Sequence, residues 1–445
     1  MKKILVLTLL AAWAGVPAGA ARAESIDTNT VLITPDYLGR LAEEMGTNNP
    51  ALRSTGAQKA AAAADVGAVR TWEDPMLVVG GVVASEAMRA DEGDILYGVE
   101  QKLPLFGKPR LQREVARAAL ATETANQDYQ FQKMRAELAR AAFRTALAER
   151  VVAIGHQDLA WLDTTTRLQE NNARVGQTTL ADVLKIQNER SRRLNQLQTD
   201  RAQLTQEKVA LNRLLNRSEL APWPALELPP AAGGVAYSTQ LVELALKYEP
   251  KTQMQRQQTK QAEAMVAVVR RQNYPDVSAG VEVRNFSGDG TFRQGMLTLR
   301  MSLPWFNHRQ IRSDISREQA RLSAAQLELA NAQAAIREEL HQLTVKADAA
   351  RREALLYRDQ IIPRTAATLD NVHAGWQAGQ TPFREVLETH RALLDAQLAY
   401  AKAVADQYQA LSDLVLCCGL GDLGALQMIG AEPEPATDPK TPAKN

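Results

Sequence analysis

Glu385 and Glu388 stand three residues apart, a spacing that places both carboxylates on one face of a helix. A solvated face is the ordinary reading of such a pair. Asp182 and Glu385 each follow a glycine-containing turn and fall in the first turn of a helix, where an acid favours the helix dipole. The histidines (His156, His308, His341, His373, His390) are scattered, without a His-x-x-x-His pair or Cys/His spacing, so no metal centre is expected. Cys417 and Cys418 are neighbours and cannot staple distant parts of the chain; they read as small apolar residues near the end of the last helix. No phosphate-cradling loop, nucleophile elbow or basic-aromatic patch is present. The residues therefore point away from an enzyme, from any cofactor and, at a net charge of +1, from a nucleic-acid partner.

The two turns belong to a chain written twice. Residues 49–108 and 249–308 align without a gap at a shift of 200, pairing Pro50 with Pro250, Val69-Arg70 with Val269-Arg270, Gly80 with Gly280 and Leu103-Pro104 with Leu303-Pro304. The copies then drift by three residues, so that Gly176-Gln177-Thr178 meets Gly379-Gln380-Thr381. Two copies of this length mean a duplicated domain rather than a solenoid. The expected division is a signal peptide at 1–23, a first repeat at 24–230, a second at 231–430 and a disordered tail at 431–445. Lys2-Lys3, the apolar run from Ile4 to Val16 and Ala21-Arg22-Ala23 carry the first assignment, and the Pro-rich end the last. No cysteine follows the cleavage site, so no N-terminal lipid is expected.

Each repeat reads as a helix, two strands, a very long helix, a glycine turn and another long helix. The strands are expected at about 76–84 and 94–103, then 277–285 and 295–303, with apolar and polar residues alternating most clearly from Val277 to Val283 and from Leu297 to Leu303. Strands of this length can cross a hydrocarbon core when tilted, yet four cannot close a barrel. From Arg110 to about Ala173 nothing interrupts the helix, giving roughly 90 Å. Ile315, Leu322, Leu329, Ile336 and Leu343 recur every seven residues, as do Leu387, Leu394, Ala401, Tyr408 and Val415, the mark of a supercoiled seam. The fold class is mainly α with a small β part. Either the sheet rests on a soluble core, or several chains pool their strands.

In this setting the chain resembles the TolC-type outer-membrane efflux proteins over nearly its whole mature length. The carriers are the duplication, the exit Leu103-Pro104-Leu105-Phe106-Gly107-Lys108 with its echo Leu303-Pro304-Trp305-Phe306-Asn307-His308, and the turns. The second, Ala374 to Thr381, leads into Glu385-Val386-Leu387-Glu388. The resemblance implies a homotrimer whose strands make a twelve-stranded barrel in outer-membrane lipid, continued by an α-helical barrel through the periplasm. It implies two partners: a periplasmic adaptor, and an inner-membrane pump expected to be proton-driven. Val175, Gly176, Gln177, Thr178, Ala378, Gly379, Gln380 and Thr381 become adaptor-docking candidates, at tip turns 175–178 and 378–381. Glu385, Glu388 and Asp182 become candidates for the pore constriction. Trp376 matches the aromatic that holds the tip closed, while Thr381 stands where a basic residue is often found. The short external loops and the Leu-Pro-Leu-Phe-Gly-Lys exit are similar to the heavy-metal branch (copper, silver, cobalt, zinc, cadmium). Drug export and type I secretion by the same kind of duct are alternatives, and a soluble periplasmic coiled-coil scaffold or adaptor is the rival from another class.

Overall fold

The computed structural model describes residues 30–81, 94–176, 178–286 and 290–430. The signal peptide, the tail, the Ser85–Gly93 turn and Gln177 lie outside the described residues. The first repeat comprises β1 (Thr30–Leu32), α1 (Pro35–Asn48), α2 (Pro50–Ala68), β2 (Met76–Gly81), β3 (Asp94–Leu103), α3 (Lys108–Arg174) and α4 (Leu180–Leu215). The second comprises β4 (Ala225–Glu227), α5 (Thr239–Tyr248), α6 (Pro250–Arg271), β5 (Val277–Phe286), β6 (Phe292–Met301), α7 (His308–Leu356), α8 (Ile362–Gln377) and α9 (Phe383–Cys417), with α10 (Leu423–Gly430) appended. The fold is mainly helical and internally duplicated, as the sequence indicates.

Where one helix was expected before each strand pair, two are found. Pro50 and Pro250 have no N–H to continue a preceding helix but suit the first position of a new one. The Asn49 side chain accepts from the Ala51 and Leu52 amides, and Glu249 accepts from the Thr252 amide, so each break is capped. α3 runs 67 residues without a break, about 100 Å. Its counterpart is divided, because a π-turn at Tyr357–Ile361 separates α7 from α8. Pro363 explains this: it cannot donate to the carbonyl one turn earlier, and the ladder widens around the loss. Two further elements were not foreseen. β1 and β4 form a short parallel pair, and α10 follows the cysteines, which therefore close α9 rather than the last helix.

The four long strands form one antiparallel sheet in the order β2-β3-β5-β6, so the repeats join at β3 and β5. β2 is described only to Gly81, and residues 82–84 lie outside the described residues. β6 begins three residues before the expected start at 295, at Phe292, where a bulge at Arg284/Asn285 brings Asn285 opposite Phe292. It ends at Met301, opposite Val277, the first residue of its neighbour.

The two faces of this sheet differ in an instructive direction. Leu77, Val79, Val99, Val281, Leu297 and Leu299 share one face and are exposed, Leu297 by 85% and Leu77 by 73%. The opposite face carries Asp94, Glu100 and Glu282, exposed by 1%, 5% and 8%. Arg300 bridges Glu100 and Glu282, and Arg284 and Arg293 flank Asp94 at 3.4 and 3.3 Å. Apolar residues face out and charges face in, the reverse of a soluble sheet. Aromatic side chains mark both ends of the strands: Trp72, Phe106, Tyr274, Trp305 and Phe306 beside the helices, and Phe292 at the far end. At the first exit, Phe106 and Gly107 both take positive φ (57° and 69°), and Lys108 Nζ fixes the bend by bonding the Tyr274 carbonyl (2.7 Å) and Asp276 (2.9 Å).

Below the sheet, helices of both repeats share one apolar core that includes Met45, Leu138, Phe143, Leu211, Leu241, Leu340 and Leu414. Irregular segments are tied to it by buried amides: Gln407 pairs with both backbone groups of Ala232, and Asn212 receives Trp223 Nε1 while donating to the Glu219 and Ala221 carbonyls. Arg217 grips Glu44 with two bonds of 2.7 Å, which holds that carboxyl below its usual range. Burial pushes the Cys418 thiol up to about 12 and raises Cys417 further, so both are inert apolar residues.

Gly98 makes the strand junction testable. A Cβ there would lie 2.6 Å from the Val281 carbonyl and 2.9 Å from Glu282 Cα. Gly98→Val is expected to destabilise the sheet by about 2 kcal/mol or more, seen as a lower unfolding temperature of the detergent-extracted protein on heated gels. An unchanged transition would show that β3 and β5 do not approach this closely.

Candidate functional site

The far ends of the two helical hairpins bring the predicted site residues into two clusters. In the first, α3 ends at Arg174, Val175 follows, and Gly176 takes φ +74° with its amide bonded to the Ala173 carbonyl. Thr179, the second of the two threonines, caps α4. Its hydroxyl accepts from the Asp182 amide (3.2 Å) and donates to the Asp182 carboxylate (2.8 Å), whose other oxygen meets Lys185 at 3.2 Å. In the single chain Asp182 is thus engaged by its own turn.

The second tip closes by a Schellman motif. Gly379 at φ +72° donates to the Trp376 carbonyl, and the Gln380 amide donates to the Gly375 carbonyl at 2.8 Å. Thr381 does not cap α9, although a threonine just before a helix is a usual cap. Its amide also donates to the Gly375 carbonyl and its hydroxyl lies over Gly375, while Pro382 takes the capping position without a side-chain bond. Phe383 is then the first helical residue. The reason is geometric: the turn spends Thr381 on closing α8, leaving none to open α9.

A small separate core supports this end. Leu162 of α3, Ile186 of α4, and Phe383, Val386 and Leu387 of α9 are buried together, with Trp376 packed against them, its ring 5.7 Å from Phe383 and 5.5 Å from His373. Trp376 is therefore a clasp between α8 and α9 within one chain. Glu385 and Glu388 lie off this core and are exposed, Glu388 meeting Arg384 at 3.5 Å in a pair exposed by 60% and 73%. The hairpins present two exposed carboxylates near one tip, Glu388 beside Arg384, and near the other an Asp182 engaged by its own turn. Among the described residues no cluster of His, Cys, Asp or Glu could hold a metal ion.

Comparison with known proteins identifies the architecture. A family model described as outer membrane efflux protein matches residues 41–217 and 241–420, one match for each repeat. The chain belongs to the outer membrane efflux protein family. Among solved structures it is similar in fold to the outer-membrane channel OprN, with 18% identity over 87% of this chain and 90% of that one, at a TM-score of 0.76. It is likewise similar to the outer membrane protein VceC of Vibrio cholerae (19% identity, 87% and 97% covered, TM-score 0.74) and to CusC (15%, 87% and 93%, 0.75). A comparison with curated proteins gives no match.

Two features of this family member escaped the sequence reading. Gly375 was read only as one residue of the Ala374 to Thr381 turn, yet its lack of a side chain is required, since any Cβ there would collide with the Thr381 hydroxyl. Asp158, Arg193 and His390 lie far apart in sequence and meet across three helices; a lone aspartate at a helical position was the one available signal. Gly375→Ala is expected to displace Thr381 and loosen the second tip by about 1–2 kcal/mol, measured as faster amide exchange across 376–387 with exchange elsewhere unchanged. Equal protection in both proteins would show that the turn tolerates the methyl group.

Proposed function

We propose that three copies of this chain form a passive exit duct, a twelve-stranded barrel in the outer membrane continued by helices into the periplasm. The observation that carries this reading is the inside-out sheet joined to long helices, of which α3 reaches about 100 Å. β2 and β6 are its open edges, and in lipid an open edge costs several kcal/mol for each unpaired backbone group. Neighbouring copies would satisfy both edges. None of the described helices is long and apolar enough to cross a membrane.

The pseudo-symmetry of the tips supports the same assembly. Leu180 and Leu184 stand in α4 where Phe383 and Leu387 stand in α9, yet they are exposed by 70% and 50% while their counterparts are buried. Within the chain α9 packs on α3. The equivalent partner for α4 is α8 of a second copy, which would cover these leucines.

In this reading the tips are the periplasmic entrance. Val175 to Thr178 and Ala378 to Thr381 meet a periplasmic adaptor, which couples the duct to a proton-driven inner-membrane pump. Glu385 and Glu388, with Asp182, ring the constriction, so three copies gather the six exposed carboxylates of Glu385 and Glu388 and favour cations. Heavy-metal cations are the proposed cargo, with drugs and secreted proteins as alternatives within the same duct class. A soluble coiled-coil scaffold is disfavoured by the exposed apolar strand face.

The protein is expected to purify from the outer membrane as a detergent-dependent trimer, and a monomer soluble without detergent would overturn the duct. Gly379→Val, strained at φ +72°, is expected to lower efflux and adaptor crosslinking while leaving the trimer intact. Glu385→Gln with Glu388→Gln should reduce cation over anion permeability by about two-fold or more in single-channel recordings. Identical selectivity would place the constriction elsewhere.

A further inference from the structure

We propose that Gln169 is a built-in opening bias: its buried side-chain amide, left without a partner, weakens the seam that holds α3 to α4 and α9 beside the tip. The inference rests on the reading of these tips as the closable end of a duct. Gly155, Asp158, Leu162, Thr165 and Gln169 follow one another along α3 at steps of three and four residues, and all five are buried. That spacing is the seam of a coiled coil, whose residues face the neighbouring helices. The contacts agree. Leu162 packs with Ile186 of α4 and with Phe383, Val386 and Leu387 of α9, and the Asp158 carboxylate lies 2.9 Å from Arg193 of α4 and 2.8 Å from His390 of α9. The seam therefore runs in the groove between α4 and α9, and Gln169 is its last buried residue before α3 ends at Arg174.

Three of these five residues are polar, and their side chains fare differently. Both oxygens of Asp158 have a partner. The Thr165 hydroxyl donates to the Trp161 carbonyl one turn back, at 2.8 Å. Gln169 is wholly buried, and neither its Nε2 nor its Oε1 has a partner among the described residues. The nearby candidates are engaged or apolar. Glu170 receives Gln187 of α4 at 2.9 Å, and Thr166 donates to the Leu162 carbonyl at 2.7 Å. Ile186, Phe383, Val386 and Leu387 have no polar side-chain atoms at all. A carboxamide has two N–H donors and a carbonyl acceptor to satisfy, and this part of the seam satisfies none of them.

Such a group forfeits the hydrogen bonds that water would give it, which weights the equilibrium against the packed state by about ten-fold or more. Separation of α3 from its neighbours wets the amide and removes the penalty. The cost falls on the packed state alone, so Gln169 shifts the balance toward separation while the apolar contacts around it stay intact. Its position gives the shift a direction. Gln169 lies five residues, about 8 Å, from the end of α3, whereas the satisfied Thr165 and Asp158 lie farther from the tip. The seam is firm away from the entrance and weakened next to it, so separation starts at the entrance.

The test follows amide exchange of the full-length protein in detergent at one fixed pH. Methionine is close to glutamine in size and has no amide to satisfy, so Gln169→Met is expected to raise protection across 180–190 and 383–390 about ten-fold over wild type, with the sheet unchanged. Thr165→Val removes a hydroxyl that is already bonded, and should change the same protection by about two-fold or less. Equal or lower protection in Gln169→Met would show that the amide is satisfied in the packed seam, by an internal water or by a contact made on assembly, and overturns the proposal. An equal rise in both variants would reduce the effect to added apolar surface, and overturns it as well. Bilayer recordings separate this idea from the duct itself: Gln169→Met is expected to open about ten-fold less often than wild type. A chain that conducts in neither form overturns the duct, whereas exchange decides the role of Gln169 without conduction.

Discussion

Backbone hydrogen bonding in the sheet governs the rest of the molecule. Every interior strand of the β2-β3-β5-β6 sheet is paired on both sides, whereas β2 and β6 each leave a row of donors and acceptors unmatched. On a soluble protein water would satisfy them. Here the outward face is formed by Leu77, Val79, Val281, Leu297 and Leu299, which water disfavours and lipid accepts. A surface suited to lipid and an edge intolerant of it can be reconciled by pairing with further strands, so assembly is built into the sheet. The helical part inherits that constraint, because each strand pair feeds directly into a long helix. Whatever fixes the strands around a barrel also fixes the spacing of the helices beneath them.

Duplication supplies the pieces of such a ring, and divergence makes them unequal. The first hairpin has an unbroken α3, a tip capped by Thr179 and Asp182, and an exposed apolar first turn in α4. The second has a π-turn partway along, a tip closed by a Schellman motif, and its own small core around Phe383 and Trp376. The wide turn at Tyr357–Ile361 gives α8 a local irregularity that α3 lacks, so the second hairpin is the one equipped to bend. It also carries the exposed carboxylates of Glu385 and Glu388. Duplication followed by divergence thus leaves one hairpin with an uninterrupted helix and one with a built-in irregularity.

Sequence periodicity made the long helices and the strand alternation legible because both are local consequences of residue spacing. The left-handed glycines at 176 and 379 were readable for the same reason: a turn between two helices demands that conformation, and glycine supplies it without strain. Capping was legible only in part. Thr179 behaves as its neighbours suggest, but Thr381 is drawn to Gly375 by the geometry of the preceding helix end, a preference set across six residues rather than at the cap itself. The split of the leading helices was written in Pro50 and Pro250, while the π-turn depends on how a helix already held by its neighbours absorbs Pro363. The Asp158 node was illegible because its members come from three helices whose register only the packed fold defines.

That node raises a question of economy in the physical sense. A buried ion pair contributes little net stability, since desolvating the charges offsets most of their attraction, and leucine would hold three helices at least as firmly. What leucine cannot do is select one partner by charge. Apolar contacts along a helix seam are individually weak and interchangeable, so a seam built from them alone slips gradually. The Asp158 carboxylate, with its oxygens 2.9 Å from Arg193 and 2.8 Å from His390, favours one register of the three helices over its neighbours. Placing that group above the exposed acids, and leaving the small core of Phe383, Val386 and Leu387 below it, gives the tip two holding points of different character. The apolar one packs the turn, and the ionic one fixes α9 against α3 and α4.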